Sequence, residues 1–124
     1  MYRSNDLLAL AEGQSCLLGI SSRCLGSEGS TTVAAHSNSY QHGKGKAIKA
    51  EDVYTVWACY YCHEVLDSGK KLGRKEKEEA FDQAHLKQIE EWTKIATNPT
   101  IRPWKKKVAE DAIRYLAKKH LVEN

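Results

Sequence analysis

The chain has 124 residues, 41% hydrophobic and 28% charged, with a formal net charge of +3. That length and mix fit one compact soluble domain with a modest core and little to spare, so a metal staple would be of use. No stretch is apolar for long enough to span a membrane or to act as a signal peptide, which points to an intracellular, cytoplasmic protein.

Residues 4–12 read as a short helix, with Ser4 or Asn5 in the capping position. The Gly- and Ser-rich stretch that follows, to residue 30, reads as a loop and carries Cys16 and Cys24. Residues 31–36 open with β-branched residues and end at His36, which predicts a strand. Residues 37–51 are polar, with Gly43 and Gly45 alternating with Lys44 and Lys46, and read as a long exposed loop. A second strand is predicted over 52–59, with Val53, Thr55 and Trp57 on one face and Tyr54, Val56 and Ala58 on the other. A short helix over 60–67 should stop at Ser68-Gly69. Phe81, His85, Ile89, Trp92 and Ile95 recur at helical spacing, which predicts one long helix over 74–97. Asn98-Pro99 and Arg102-Pro103 break the chain, and a last helix runs over 104–122 on an inner stripe of Val108, Ala112, Tyr115 and Leu116.

Charge is unevenly spread. Residues 70–124 hold 14 Lys/Arg against 9 Asp/Glu, whereas residues 1–69 hold 5 against 7. A basic C-terminal part suits phosphate contacts, but taken alone a solvated helix face is the commoner explanation.

The cytosol is reducing, so four cysteines there suggest metal before disulfides. Cys59 and Cys62 form a Cys-x2-Cys pair where a strand turns into a helix, a spacing that lets two thiolates take adjacent corners of a tetrahedron. Cys16 and Cys24 are more widely spaced. All four together would hold a structural Zn²⁺; two disulfides or buried free thiols remain as alternatives.

His63 and Asp67 lie four residues apart on one helix face, a workable half-site for a divalent metal such as Mg²⁺ or Mn²⁺. An ordinary surface His beside a helix-end Asp has the same spacing. His36 is placed to act as a general base, although a His at a strand end is often structural. His85 sits on an apolar stripe, where a satisfied core histidine is the default. His42, in the Gly/Lys loop, is in a place to approach a phosphate.

Several segments then combine. Ala35-His36-Ser37-Asn38 ends a strand. His42-Gly43-Lys44-Gly45-Lys46 and Ile48-Lys49-Ala50-Glu51-Asp52 form the loop. Cys59-Tyr60-Tyr61-Cys62-His63-Glu64-Val65-Leu66-Asp67-Ser68-Gly69 starts the helix, and Phe81-Asp82-Gln83-Ala84-His85 follows. Over roughly residues 13–90 the chain resembles the HNH (ββα-metal) nucleases, and more closely the small YbcO-type nucleases of phages and prophages.

The resemblance implies an α+β fold: a small ββα-metal core with a four-cysteine zinc staple, followed by two longer C-terminal helices. It divides a single domain into an N-terminal helix and Cys loop (1–30), the core (31–69) and a helical extension (70–124). It implies a metal-dependent DNA endonuclease of low sequence specificity in a bacterial host cell, with a recombination or replication protein as a possible partner. His36 matches the general base, His63 a metal ligand, and Asp67 is placed as a second ligand. Asp52 is the nearest match to the middle Asn. Ala35 stands where a further ligand is usual, so His85 or Asp52 would have to replace it. Lys44, Lys46 and Lys49, with His42, would hold the phosphate backbone, and Lys105, Lys106 and Lys107 would extend that track. His63 must be neutral to ligate, so activity should fall below about pH 6. The competing expectation is a non-catalytic zinc-containing DNA-binding module or a degenerate nuclease.

Overall fold

The computed structural model describes residues 1–45, 47–68 and 70–123, the last three as backbone. The fold is α+β, with four α-helices and one two-stranded sheet among the described residues. α1 (Asn5–Ala9) starts at Ser4, whose side chain accepts the Leu7 N–H at 3.1 Å. The cysteine loop holds a short 3₁₀ turn at Gly26–Glu28. β1 (Val33–His36) and β2 (Thr55–Ala58) pair antiparallel, with Ala35 opposite Val56 and His36 opposite Thr55. α2 (Tyr60–Asp67) follows β2 at once. α3 (Arg74–Thr97) and α4 (Pro103–Glu123) complete the chain. No helix among the described residues is long and apolar enough to cross a membrane.

Both strands are shorter than expected, for local reasons. Thr32 closes a turn onto Gly29, and the Thr31 hydroxyl accepts the Tyr60 N–H at 3.0 Å. Residues 52–54 form a turn instead of strand: Tyr54 N–H bonds to the Glu51 carbonyl, and the Thr55 hydroxyl caps the Asp52 carbonyl at 2.9 Å. Segment 37–51 is not wholly exposed either. It contains a 3₁₀ turn at Tyr40–His42, and Ser37, Ala50 and Glu51 are buried. Lys46 and Gly69 fall outside the described residues.

β2 is buried on both faces, so its alternation separates two cores rather than core from solvent. Trp57 and Ala34 face a cluster built from α1, α3 and α4 around Leu7, Trp92 and Leu116. Ala35, Val56 and Ala58 face Leu66, Phe81 and the cysteines. α3 packs on both β2 and α4. Its Trp92 is 1% exposed, and truncating such a ring to Ala typically costs about 3–5 kcal/mol. Buried Gln88 accepts the outward Trp57 N–H of β2 at 2.8 Å, replacing a neighbouring strand.

Candidate functional site

The cysteine loop and the β2–α2 corner bring four thiols together. The Sγ atoms of Cys16, Cys24, Cys59 and Cys62 all lie within 4.8 Å of one another. Thiolates about 2.3 Å from a tetrahedral zinc stand about 3.8 Å apart, so the cluster can hold such an ion. Backbone amides are aimed at the sulfurs: Ser21 N–H donates to Cys62 Sγ and Gly26 N–H to Cys24 Sγ, both at 3.4 Å. All four cysteines are free. Burial pushes the Cys59 thiol up, but the Leu25 and Cys62 amides and the neighbouring thiols bring it down to about 7. Burial and the charge on Cys16 push Cys62 well up. A bound cation would favour the ionised form of thiols held this close together, which fits a metal-loaded staple.

His36 and Asp52 meet at the end of β1. Nε2 of His36 stands 2.8 Å from Asp52 Oδ1. Asp52 also accepts from Arg3 Nη1 at 3.2 Å and from the Ser4 N–H at 2.7 Å. Burial raises the Asp52 carboxyl, but the bonds from His36, Ser4 and Arg3 outweigh it and hold the group below the usual carboxylate range.

On α2, His63 Nε2 lies 2.9 Å from Asp67 Oδ2, both side chains partly exposed. Two adjacent ligand atoms on an octahedral ion with bonds of about 2.1 Å stand about 3 Å apart, so this separation suits a shared divalent ion. The Asp67 bond raises His63, against the opposite pull of burial. Burial raises Asp67 in turn, but bonds from His63 and Asn38 lower it overall, and the charge of His36 adds to that lowering. Asn38 Nδ2 donates to Asp67 Oδ1 at 3.2 Å, which ties the segment after β1 to the end of α2.

Beside Asp67 lies a recess of about 300 Å³ with Leu66 and Phe81 in its wall. Ser37, Asn38, Gln41 and His42 line one side, and Arg74, Lys77, Glu78 and Asp82 of α3 line the other. His42 bonds to the Ser37 hydroxyl at 2.6 Å and stacks on Tyr54 at 4.1 Å.

Over residues 5–97 the chain matches the family model described as "Putative nuclease YbcO". It belongs to the YbcO family. No curated protein and no solved structure matches it. The matched span of this YbcO chain contains the cysteine cluster, both His–Asp pairs and the recess; α4 and residues 2–4 lie outside it.

The structure thus joins His63 to Asp67, and His36 to Asp52, as separate pairs. His85 goes elsewhere: it is 8% exposed, its Nε2 meets the Val53 carbonyl at 2.7 Å, and it packs on Phe81, Tyr54 and Trp92. Burial holds its pKa below the ordinary value. Ala35 is wholly buried opposite Val56 and offers no ligand. Lys44 bonds the Gly45 carbonyl at 3.0 Å, and Lys49 is exposed. Asn38 and the α3 residues Arg74 and Lys77 were not singled out by sequence. The Asn two residues after His36 is the only local signal for the first; the others depend on how α3 lies across α2.

Proposed function

We propose that this YbcO-family chain is a DNA endonuclease of HNH type, dependent on Mg²⁺ or another divalent metal and of low sequence specificity. The observation that carries the reading is Asp67: it is bonded to His63 on one side and to Asn38 on the other, within electrostatic reach of His36. His63 and Asp67 would hold the metal. When bound there, a divalent ion supplies charge stabilisation to the scissile phosphate and to the leaving 3′ oxygen.

His36 takes the proton from the attacking water. Its Nε2 is engaged by Asp52, which leaves Nδ1 as the accepting nitrogen and fixes the ring. Cys16, Cys24, Cys59 and Cys62 keep a structural Zn²⁺ that ties the N-terminal loop to the start of α2. Lys44, Lys46, Lys49 and His42 contact phosphates, which positions DNA without reading its sequence; Lys105, Lys106 and Lys107 start α4, whose far end at Lys119 is the one that meets Glu51.

A second reading, a zinc-containing DNA-binding module without turnover, is favoured by one observation: buried Ala35 leaves His63 and Asp67 as a sparse ligand set. Supercoiled plasmid separates the two. Zinc-loaded protein given Mg²⁺, Mn²⁺ or Ni²⁺ should nick it, and His63→Ala should not. Salt-sensitive DNA binding with no nicking by any of the three metals would establish the second reading.

A further inference from the structure

The recess beside Asp67 has a use that phosphate binding does not explain. Its charged lining is three carboxylates, Asp67, Glu78 and Asp82, against two cations, Arg74 and Lys77. Arg74 is also paired with Glu78 at 3.3 Å. With Asp67 given to the metal, the rest of that lining is two carboxylates against two cations and offers a phosphate no net attraction. Away from Asp67 it does not converge as a metal site does either; among the described residues the four cysteines are the one cluster of three or more ligand groups. What remains attractive is a neutral, flat, hydrogen-bonding group. Leu66 and Phe81 give the recess apolar wall, and Asn38, Gln41 and the carboxylates give it polar atoms. Tyr40, 66% exposed, lies between Ser39 and Gln41 in the chain, and the guanidinium of Arg74, a lining residue, stands 5.6 Å from its ring centroid. An exposed aromatic paired with a guanidinium of the lining is the kind of surface on which an unstacked base rests.

We propose that this recess binds one unpaired nucleobase next to the scissile phosphate, so that the substrate is DNA with an extrahelical or single-stranded nucleotide. The inference rests on the nuclease reading above and deepens it. A stacked duplex is far too wide for about 300 Å³, whereas a single flipped base fits. Extruding a base from a perfect duplex costs a few kcal/mol, and the cost is least where the base is already unpaired. The Asp82 carboxylate, an acceptor, favours a base with an exocyclic amino group, such as cytosine.

The test is binding of zinc-loaded protein, with no other divalent metal, to three fluorescein-labelled DNAs. One is a perfect duplex, one carries a single unpaired cytosine, and one carries an abasic residue at the same bulge. The cytosine bulge should bind at least about five-fold tighter than both others, the gain expected from seating one base. Gln41→Ala and Asp82→Asn, both exposed polar changes, should shrink that advantage to less than about two-fold. Equal binding of all three DNAs overturns the proposal. So does equal binding of the cytosine and abasic bulges, which would mean that a flexible backbone is read, or an undiminished advantage in both variants. Plasmid nicking on the same preparation judges the nuclease reading separately. Nicking without a cytosine advantage removes this inference alone. A cytosine advantage without nicking by any metal removes the nuclease reading and keeps the recess.

Discussion

Nε2 of His36 and Oδ1 of Asp52 stand 2.8 Å apart, although 16 residues of chain separate them. Asp52 is in turn fixed by the Ser4 amide and Arg3, so the carboxylate that orients the imidazole is anchored by the first residues of the chain. His36→Ala should abolish nicking while the protein keeps its circular dichroism spectrum. Asp52→Ala should reduce nicking by about 10–100-fold, the usual loss when a partner that orients an active imidazole is removed. Unchanged cutting by His36→Ala would end its assignment as the base.

The zinc prediction concerns the fold. A structural zinc is worth about 10–16 kcal/mol in small domains, as much as or more than the whole stability of a typical domain. Mass spectrometry of purified protein should find one zinc per chain. Cys59→Ser, or prolonged chelation, should abolish the cooperative thermal transition. A chelated sample that melts as before would mean that the four thiols do not carry a metal needed for folding.

Buried Glu51, next to Asp52, accepts from the Tyr2 amide, the Tyr115 hydroxyl and Lys119. Burial pushes its carboxyl up, but these partners reverse that and hold it at about 2. The native pKa is thus below the unfolded one. The stabilisation is fully present above about pH 4.5 and is lost as pH falls from there to about 2. Its size is on the order of 3 kcal/mol. Urea melts should show stability falling through that window, and Glu51→Gln should flatten the fall. An identical slope in the variant would show that other carboxyls drive acid unfolding.

The local parts of this architecture are legible from sequence and the long-range parts are not. Helix bounds at 60–67 and 74–97 follow from the Ser68-Gly69 stop, the helical spacing of Phe81 to Ile95 and the Asn98-Pro99 break, all of which act locally. The His63–Asp67 pair is legible for the same reason, since helical spacing alone brings it together. Asn38 reaches Asp67 across 29 residues, and Lys119 reaches Glu51 across 68. No periodicity encodes those meetings. Asp52 reads as strand because its neighbours are β-formers, but its carbonyl is capped by Thr55 and its carboxylate by three donors, which makes a turn the better solution.

His63 and His85 test opposite roles for two imidazoles. His85→Ala removes a donor from the Val53 carbonyl and a ring stacked on Phe81, both in the core, so it should cost about 2–4 kcal/mol of stability. Its Mn²⁺ affinity, measured by titration calorimetry on the fraction that remains folded, should match the parent. His63→Ala, at a side chain 38% exposed, should change stability by less than about 1 kcal/mol and lose Mn²⁺ binding. The pH dependence adds an independent check. The Asp67 bond raises the His63 pKa above 6.5, so the metal must displace a proton there, and Mn²⁺ affinity should climb as pH rises through that raised value. A folded His85→Ala protein that no longer binds Mn²⁺ would instead make His85 the ligand that Ala35 does not provide.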